Sequence, residues 1–324
     1  MSKKSNQLHI FFLFMAALLW GTTFVAQRMG SEYVEPFSYL AVRSWVAVAF
    51  LTPLVHMMDR FFEKKGVDNR RPRTAADRRL LLTAGCISGF MLCAASATQQ
   101  IGIAYTTASK AGFITALYVV LVPLFSIFIR KRPSPQIWVC VLLALLGLYL
   151  LCMKTDSFTL EYGDAWELVC AFLYAVEILI LSHYSSLVDA VRLSRLQFLV
   201  GAVISTVIML LAEHPTAESL RLGLPAILYA GIVSSGIAYT LQIFGQDGVN
   251  ATVASLVMSL ESVFSALSGW LILHEQMSVR ELGGAVLMFL AIILSQLEWK
   301  PGKSSHHGPA FGPENIVPVN NKDN

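Results

Sequence analysis

ATVASLVMSLESVFSALSGWLILHE, running from Ala251 to Glu275, is long enough to cross a bilayer and holds one carboxylate, Glu261, near its middle. An ionised side chain at that depth costs roughly 2.5–3.5 kcal/mol on insertion scales, so Glu261 needs a wet cavity, a partner or a proton. Outward from this stretch, apolar runs of similar length recur almost end to end. Of the 324 residues 55% are hydrophobic and only 14% charged, where a soluble domain carries about 25% charged. The pattern defines an all-α integral membrane protein with little mass outside the bilayer.

Ten spans are expected, at 8–27, 36–56, 80–104, 107–129, 135–153, 164–184, 193–212, 223–246, 249–273 and 279–297. Lys3 and Lys4 followed by an apolar run imitate a signal peptide. The run continues past Trp20 without a small-residue cleavage site, however, and reads as a retained first span. Lys and Arg alternate sharply between the two sides: eighteen fall on the side of the N-terminus, five on the opposite side, and Arg43 lies inside span two. This puts both termini in the cytoplasm. The basic loop Asp59–Arg79 dominates that count. Its arginines are explained by topology, with Glu63, Asp68 and Asp77 mixed among them, so no nucleic-acid partner is inferred. The five cysteines form no CxxC pair and read as free buried thiols, and His306-His307 lies in a polar tail, 299–324, expected to be disordered. No metal or cofactor motif appears.

The second half repeats the first. Spans three to five fall on spans eight to ten at an offset of 143, which aligns Gln99 with Gln242, Gly102 with Gly245 and Leu117 with Leu260. Spans one and two fall on six and seven at an offset of 154, aligning Trp20 with Tyr174 and Glu35 with Asp189. The longer basic loop of the first half accounts for the difference. Because five is odd, two such units, 1–154 and 155–298, enter the membrane from opposite sides. Inverted repeats of this kind are characteristic of secondary transporters, with the substrate held near the midplane.

LLWGTTFVAQR (Leu18 to Arg28), TTASKAGFITALYVVLVPLF (Thr106 to Phe125) and SLESVFSALSGWLILHEQMS (Ser259 to Ser278) resemble EamA-type members of the drug/metabolite transporter superfamily. The resemblance covers roughly residues 10–297. It implies ten helices in two inverted five-helix repeats around a central cavity, and export or exchange of small metabolites across the cell membrane. Where that family often has Leu-Glu-Pro in helix nine, this chain reads Leu260-Glu261-Ser262, so no proline bend is expected there. Pro123 supplies one in helix four.

Glu261 is the leading candidate for binding a cation or carrying a proton. Ala254, Met258, Glu261, Ser265 and Ser268 form one stripe at helical spacing, read as a cavity wall. The adjacent stripe of Ser255, Ser259, Ser262, Ala266 and Gly269 is nearly all small and reads as a packing seam. Glu177 and Tyr174 share a face of helix six and align with Thr23 and Trp20 of helix one, which places all four toward the shared interface. Arg43 either snorkels outward or faces the cavity, where it would attract anionic groups or pair with Glu177 or Glu261. Lys110 is expected to snorkel. Gln99 and Gln242 suit either substrate or interhelical hydrogen bonds, and Tyr118, the repeat mate of Glu261, and Tyr239 suit either cavity walls or ordinary packing.

No GxxxxGK[ST] is present, so transport would draw on a gradient, with protons as the simplest coupling ion, or run as exchange. The expected partners are a small-molecule substrate, the bilayer and protons. A membrane-embedded enzyme using Glu177 and Glu261 would need a nucleophile or metal, and no HExxH, GxSxG or Cys/His cluster accompanies them. A non-transporting scaffold would have a closed, apolar interior.

Overall fold

The computed structural model describes residues 3–65, 70–106, 108–129, 133–152, 162–272 and 278–297. The tail at 299–324, the expected boundary at 154/155 and the side chains of Lys110 and Cys152 lie outside the described residues. Among the described residues there are helices and no strands. In chain order they are α1 (Lys3–Gly30), α2 (Pro36–Lys65), α3 (Ala75–Tyr105), α4 (Ala108–Thr115), α5 (Tyr118–Phe128), α6 (Pro135–Cys152) and α7 (Tyr162–Tyr184). They continue with α8 (Ala190–Ala212), α9 (Ala217–Tyr229), a π-helical segment (Ala230–Ala238), α10 (Tyr239–Gln246), α11 (Ala251–Met258), α12 (Glu261–Ile272) and α13 (Val279–Gln296). Among the described residues, eight stretches are long and apolar enough to cross a bilayer. The expected fifth span is a shorter apolar helix, Pro135–Leu150, and the expected tenth, α13, is not among the eight.

Polar residues fix where several helices start. Thr74 and Asp77 form a reciprocal capping box, each side chain satisfying the other's backbone N–H, so α3 begins five residues before the apolar run suggested. Thr216 and Ser219 do the same for α9, which begins at Ala217 rather than near 223. Apolar periodicity marks where a helix is buried, whereas the cap sets where it starts.

The fourth and ninth spans, helix four (α4 and α5) and helix nine (α11 and α12), are each broken. The break falls at Ala116-Leu117 in the first and at Ser259-Leu260 in the second, 143 residues apart. The tight turns match as well: Leu117 N–H donates to Ile114 and Leu260 N–H to Val257, at 3.1 and 3.2 Å. Neither break needs a proline: helix nine, where no proline bend is expected, breaks without one. In α11 the Ser255 and Ser259 hydroxyls donate to carbonyls three residues earlier and so compete with the backbone ladder. Pro123 sits inside α5, beyond the break in helix four.

The packing repeats under exchange of halves. α1 lies against α9, the π segment and α10, as α7 lies against α3; α2 packs along α8, and α6 along α13. Side chains at the ends of α2 and α8 follow the same rule. Asp59 receives an ion pair from Arg192 at 2.6 Å. Its mate Glu213, 154 residues on, accepts from the backbone and hydroxyl of Ser38, the mate of Arg192, at 2.6 Å each, and from Phe37 N–H. Like halves therefore close opposite ends of the α2–α8 pair by different chemistry.

Candidate functional site

A cavity lies where the two halves meet, with about 30 Å³ open to the centres of water-sized molecules. That is room for one or two waters. Four pairs of repeat mates line it: Trp20 and Tyr174, Phe24 and Ile178, Gln99 and Gln242, Tyr118 and Glu261. Arg43, Gln27, Ser234, Tyr239 and Met258 complete the wall. The cavity thus surrounds the axis that would exchange the halves.

The breaks in helices four and nine place the last of those mates. Tyr118 is the first residue of α5 and Glu261 the first of α12, so each faces the cavity from a fresh helix start. A carboxylate is favoured there by the positive end of the helix dipole. Glu261 Oε1 and the Tyr118 hydroxyl are both buried without a well-formed hydrogen bond, and the two side chains face one another in a weak hydrogen bond and electrostatic contact. Aromatic contacts repeat imperfectly around them. Trp20 meets Tyr239 edge-on at 4.8 Å between centroids, while Tyr174, the mate of Trp20, meets Ser96 at 3.4 Å. A 2.8 Å hydrogen bond joins the Tyr174 and Tyr239 hydroxyls across the two sets.

Arg43 is 2% exposed and does not snorkel. Its Nε has no partner, and the ion pairs among the described residues do not include it, so of the alternatives neither snorkelling nor a pair with Glu177 or Glu261 is formed. It reaches the cavity beside Tyr174 and Tyr239. Against its helix lies the π segment, where a Cβ on Gly231 would come within 2.9 Å of the Arg43 carbonyl oxygen; only glycine admits this approach, which brings Ser234 into the wall. Segments of this kind recur at functional sites.

Three expected site residues lie elsewhere. Glu177 is fully buried one layer behind the wall, where it accepts from Gln197 at 3.4 Å and from Gln242 at 3.2 Å. Thr23 spends its hydroxyl on the Leu19 carbonyl of its own helix. Ser265 does not reach the cavity, and Ser268 bonds the Phe264 carbonyl. The break at Ser259-Leu260 interrupts the stripe, leaving only Met258 and Glu261 of its members in the wall. Ser262, on the small-residue stripe, donates to the Gly112 carbonyl at 2.8 Å. Of the described thiols, Cys93, Cys140 and Cys170 are buried, but Cys86 is exposed, contrary to expectation. Gln99 accepts from Gln27 at 3.3 Å, an interhelical bond.

Sequence reasoning missed Gln27, Phe24, Ile178 and Ser234 in the wall. Phe24 and Ile178 were findable, because each is the other's mate at the offset already established. It also missed Glu167, a buried carboxylate on α7 that accepts from Thr115 at 2.8 Å. Glu167 stands near the expected end of its span, where a charge attracts no notice.

A helical membrane bundle with two like halves and a polar cavity between them defines a membrane transporter of small solutes. The chain belongs to the EamA-like transporter family, which matches it twice, over residues 7–153 and 161–297. An uncharacterized transporter of Archaeoglobus fulgidus is 30% identical over 88% of this chain and 84% of its own length. The uncharacterized transporter YoaV of Bacillus subtilis is 21% identical over 86% of this chain and 93% of its own. A solved crystal structure with 19% identity superposes at a TM-score of 0.70, covering 89% of this chain and 98% of that one, and shares the fold.

Proposed function

We propose that the protein is a secondary transporter that exports or exchanges a small, amino-acid-like metabolite across the cell membrane by alternating access. It is not an enzyme on this reading. The observation that carries the proposal is the cavity between the halves, in which Arg43 has no ionic partner and Glu261 leaves an oxygen unpaired. A buried cation without a partner is costly, by several kcal/mol even after relaxation, unless something bound supplies the opposite charge. A solute carrying a carboxylate for Arg43 and a donor for Glu261 would satisfy both, with Trp20, Tyr174 and Tyr239 closing on its apolar part.

Ten spans in two inverted five-helix repeats, 1–154 and 155–298, fit this reading, with both termini and the tail at 299–324 in the cytoplasm. The chain has no nucleotide-binding loop to power transport, so a proton on Glu261 is the proposed coupling ion. Purified protein in proteoliposomes, screened against metabolite classes with and without a pH gradient, tests the scheme. Glu261→Gln is expected to abolish the response to the gradient and, because Glu261 also meets the solute, to weaken solute binding. Undiminished, equally pH-sensitive transport by that variant would exclude Glu261 as the coupling carboxyl.

A further inference from the structure

Glu167 stands five residues into α7, roughly 8 Å of helix rise from its start. It is wholly buried; Oε2 accepts from the Thr115 hydroxyl at 2.8 Å, and Oε1 has no partner. Three residues before it, Asp164 accepts from Thr106 at 2.9 Å; three residues after it, the Cys170 sulfur lies 4.0 Å from the Thr115 hydroxyl. At that spacing the three share a face. The row runs from the Thr106 end of the bundle toward the cavity, and both Asp164 and Glu261 act electrostatically on Glu167. Among the described residues, Cys170 and Glu261 are the other titratable groups around it; α4 contributes Thr115, and α3 turns Thr98 and Gly102 toward the row, with no charged residue among its buried positions.

The other half shows what this position needs for packing alone. Glu167 aligns with Leu13, and Gly102 with Gly245. A Cβ on Gly102 would lie 2.8 Å from the Glu167 Cγ, and a Cβ on Gly245 would lie 2.5 Å from the Leu13 Cγ. The same crossing is therefore filled by a leucine in one half and a carboxylate in the other. Thr115 likewise aligns with Met258. Packing does not ask for an acid here, and the crossing is too tight for a solvated metal cation. A carboxylate with one donor and one open oxygen, in so confined a place, has a single ligand that fits, a proton.

We propose that Glu167 is a second proton-binding site, and that the Asp164–Glu167 row passes protons between the Thr106 end of the bundle and Glu261. The proposal rests on the reading of Glu261 as the coupling carboxyl. A proton arriving from the Asp164 end neutralises Glu167 at Oε1; its onward transfer to Glu261 restores the Glu167 carboxylate.

Infrared titration of the full chain in nanodiscs, following the carbonyl stretch of protonated buried carboxyls, tests it without a known substrate. Glu167→Gln is expected to remove one titrating band. Glu167→Leu repeats the packing of Leu13 and is expected to remove the same band should the glutamine variant fold poorly. In Glu261→Gln the Glu167 band is expected to persist with a shifted midpoint, because the two carboxyls no longer interact, and the reciprocal variant should shift the Glu261 band as well. No band lost on changing Glu167 overturns the site. A Glu167 band that titrates identically with and without Glu261 overturns the row. Absence of any band assignable to Glu261 overturns instead the cavity reading on which the row rests.

Discussion

Arg43 and Gln197 hold equivalent places in the two halves, and the difference between them is the main chemical asymmetry of the interior. Gln197 donates to Glu177, whose other oxygen accepts from Gln242, so the acid on that side has uncharged hydrogen-bond partners. Arg43 has no such partner. Replacing it by its mate's residue, Arg43→Gln, removes an uncompensated buried charge. Thermal unfolding in detergent is expected to show a more stable protein, by roughly 1–4 kcal/mol, and vesicle uptake of solutes bearing an anionic group is expected to fall at least about tenfold, for a lost interaction of about 1.4 kcal/mol or more. Unchanged uptake would mean that Arg43 meets no substrate. Of the interior, the sequence discloses the residues expensive enough to stand out: Glu261 at mid-span, and the aligned pairs Trp20–Tyr174 and Gln99–Gln242. Whether Arg43 turned in or out was beyond it, because a long side chain seven residues into a helix reaches either solvent or cavity, and only the neighbouring helix decides.

Helix nine illustrates the next scale. Its break sits between Met258 and Glu261 without a proline, so a proline placed just after it should be accepted. Ser262→Pro falls in the first turn of α12, where a missing N–H and a fixed φ are tolerated. It forfeits the hydroxyl bond from Ser262 to Gly112 and the N–H bond from Ser262 to the Ser259 carbonyl, each worth about 0.5–1.5 kcal/mol. Val257→Pro, inside α11, breaks a helical ladder and is expected to cost about 3 kcal/mol or more. Denaturation of the two variants in the same detergent separates them, and equal destabilisation would show that the break is not a true helix start. The break itself was not legible. Helical periodicity runs through Ser259-Leu260 uninterrupted, and serine back-bonding loosens a helix only when the surroundings let it open.

At the scale of the molecule, repeat symmetry organises the packing and local chemistry departs from it. The crossing of α7 with α3 carries Glu167 where its counterpart carries Leu13, and the α2–α8 pair is closed by an Arg192–Asp59 ion pair at one end and by Glu213 on Ser38 at the other. Orientation in the bilayer is expected to depend on the basic loop before α3. Changing Arg70, Arg71, Arg73, Arg78 and Arg79 together to glutamine removes five of the eighteen charges on that side and should yield a mixed population, read by protease protection of N-terminal reporter fusions. A uniform orientation after that change would mean that the remaining charges or the helices themselves set the topology.

The sequence by itself determined that the chain is a helical membrane protein, that its second half repeats its first, and that Glu261 sits at membrane depth opposite Tyr118. Those properties follow from hydropathy, periodicity and alignment of the chain with itself, all of which are local or self-referential. Only the tertiary structure decided that Arg43 faces inward without a partner, that Glu177 lies behind the wall rather than in it, and that helices four and nine break so as to aim Tyr118 and Glu261 into one cavity. Each of these depends on what a neighbouring helix offers: a hydroxyl, an amide, or a glycine that allows close approach. A repeat fixes which residues are equivalent, but the partners that satisfy or abandon a buried charge come from helices distant in sequence.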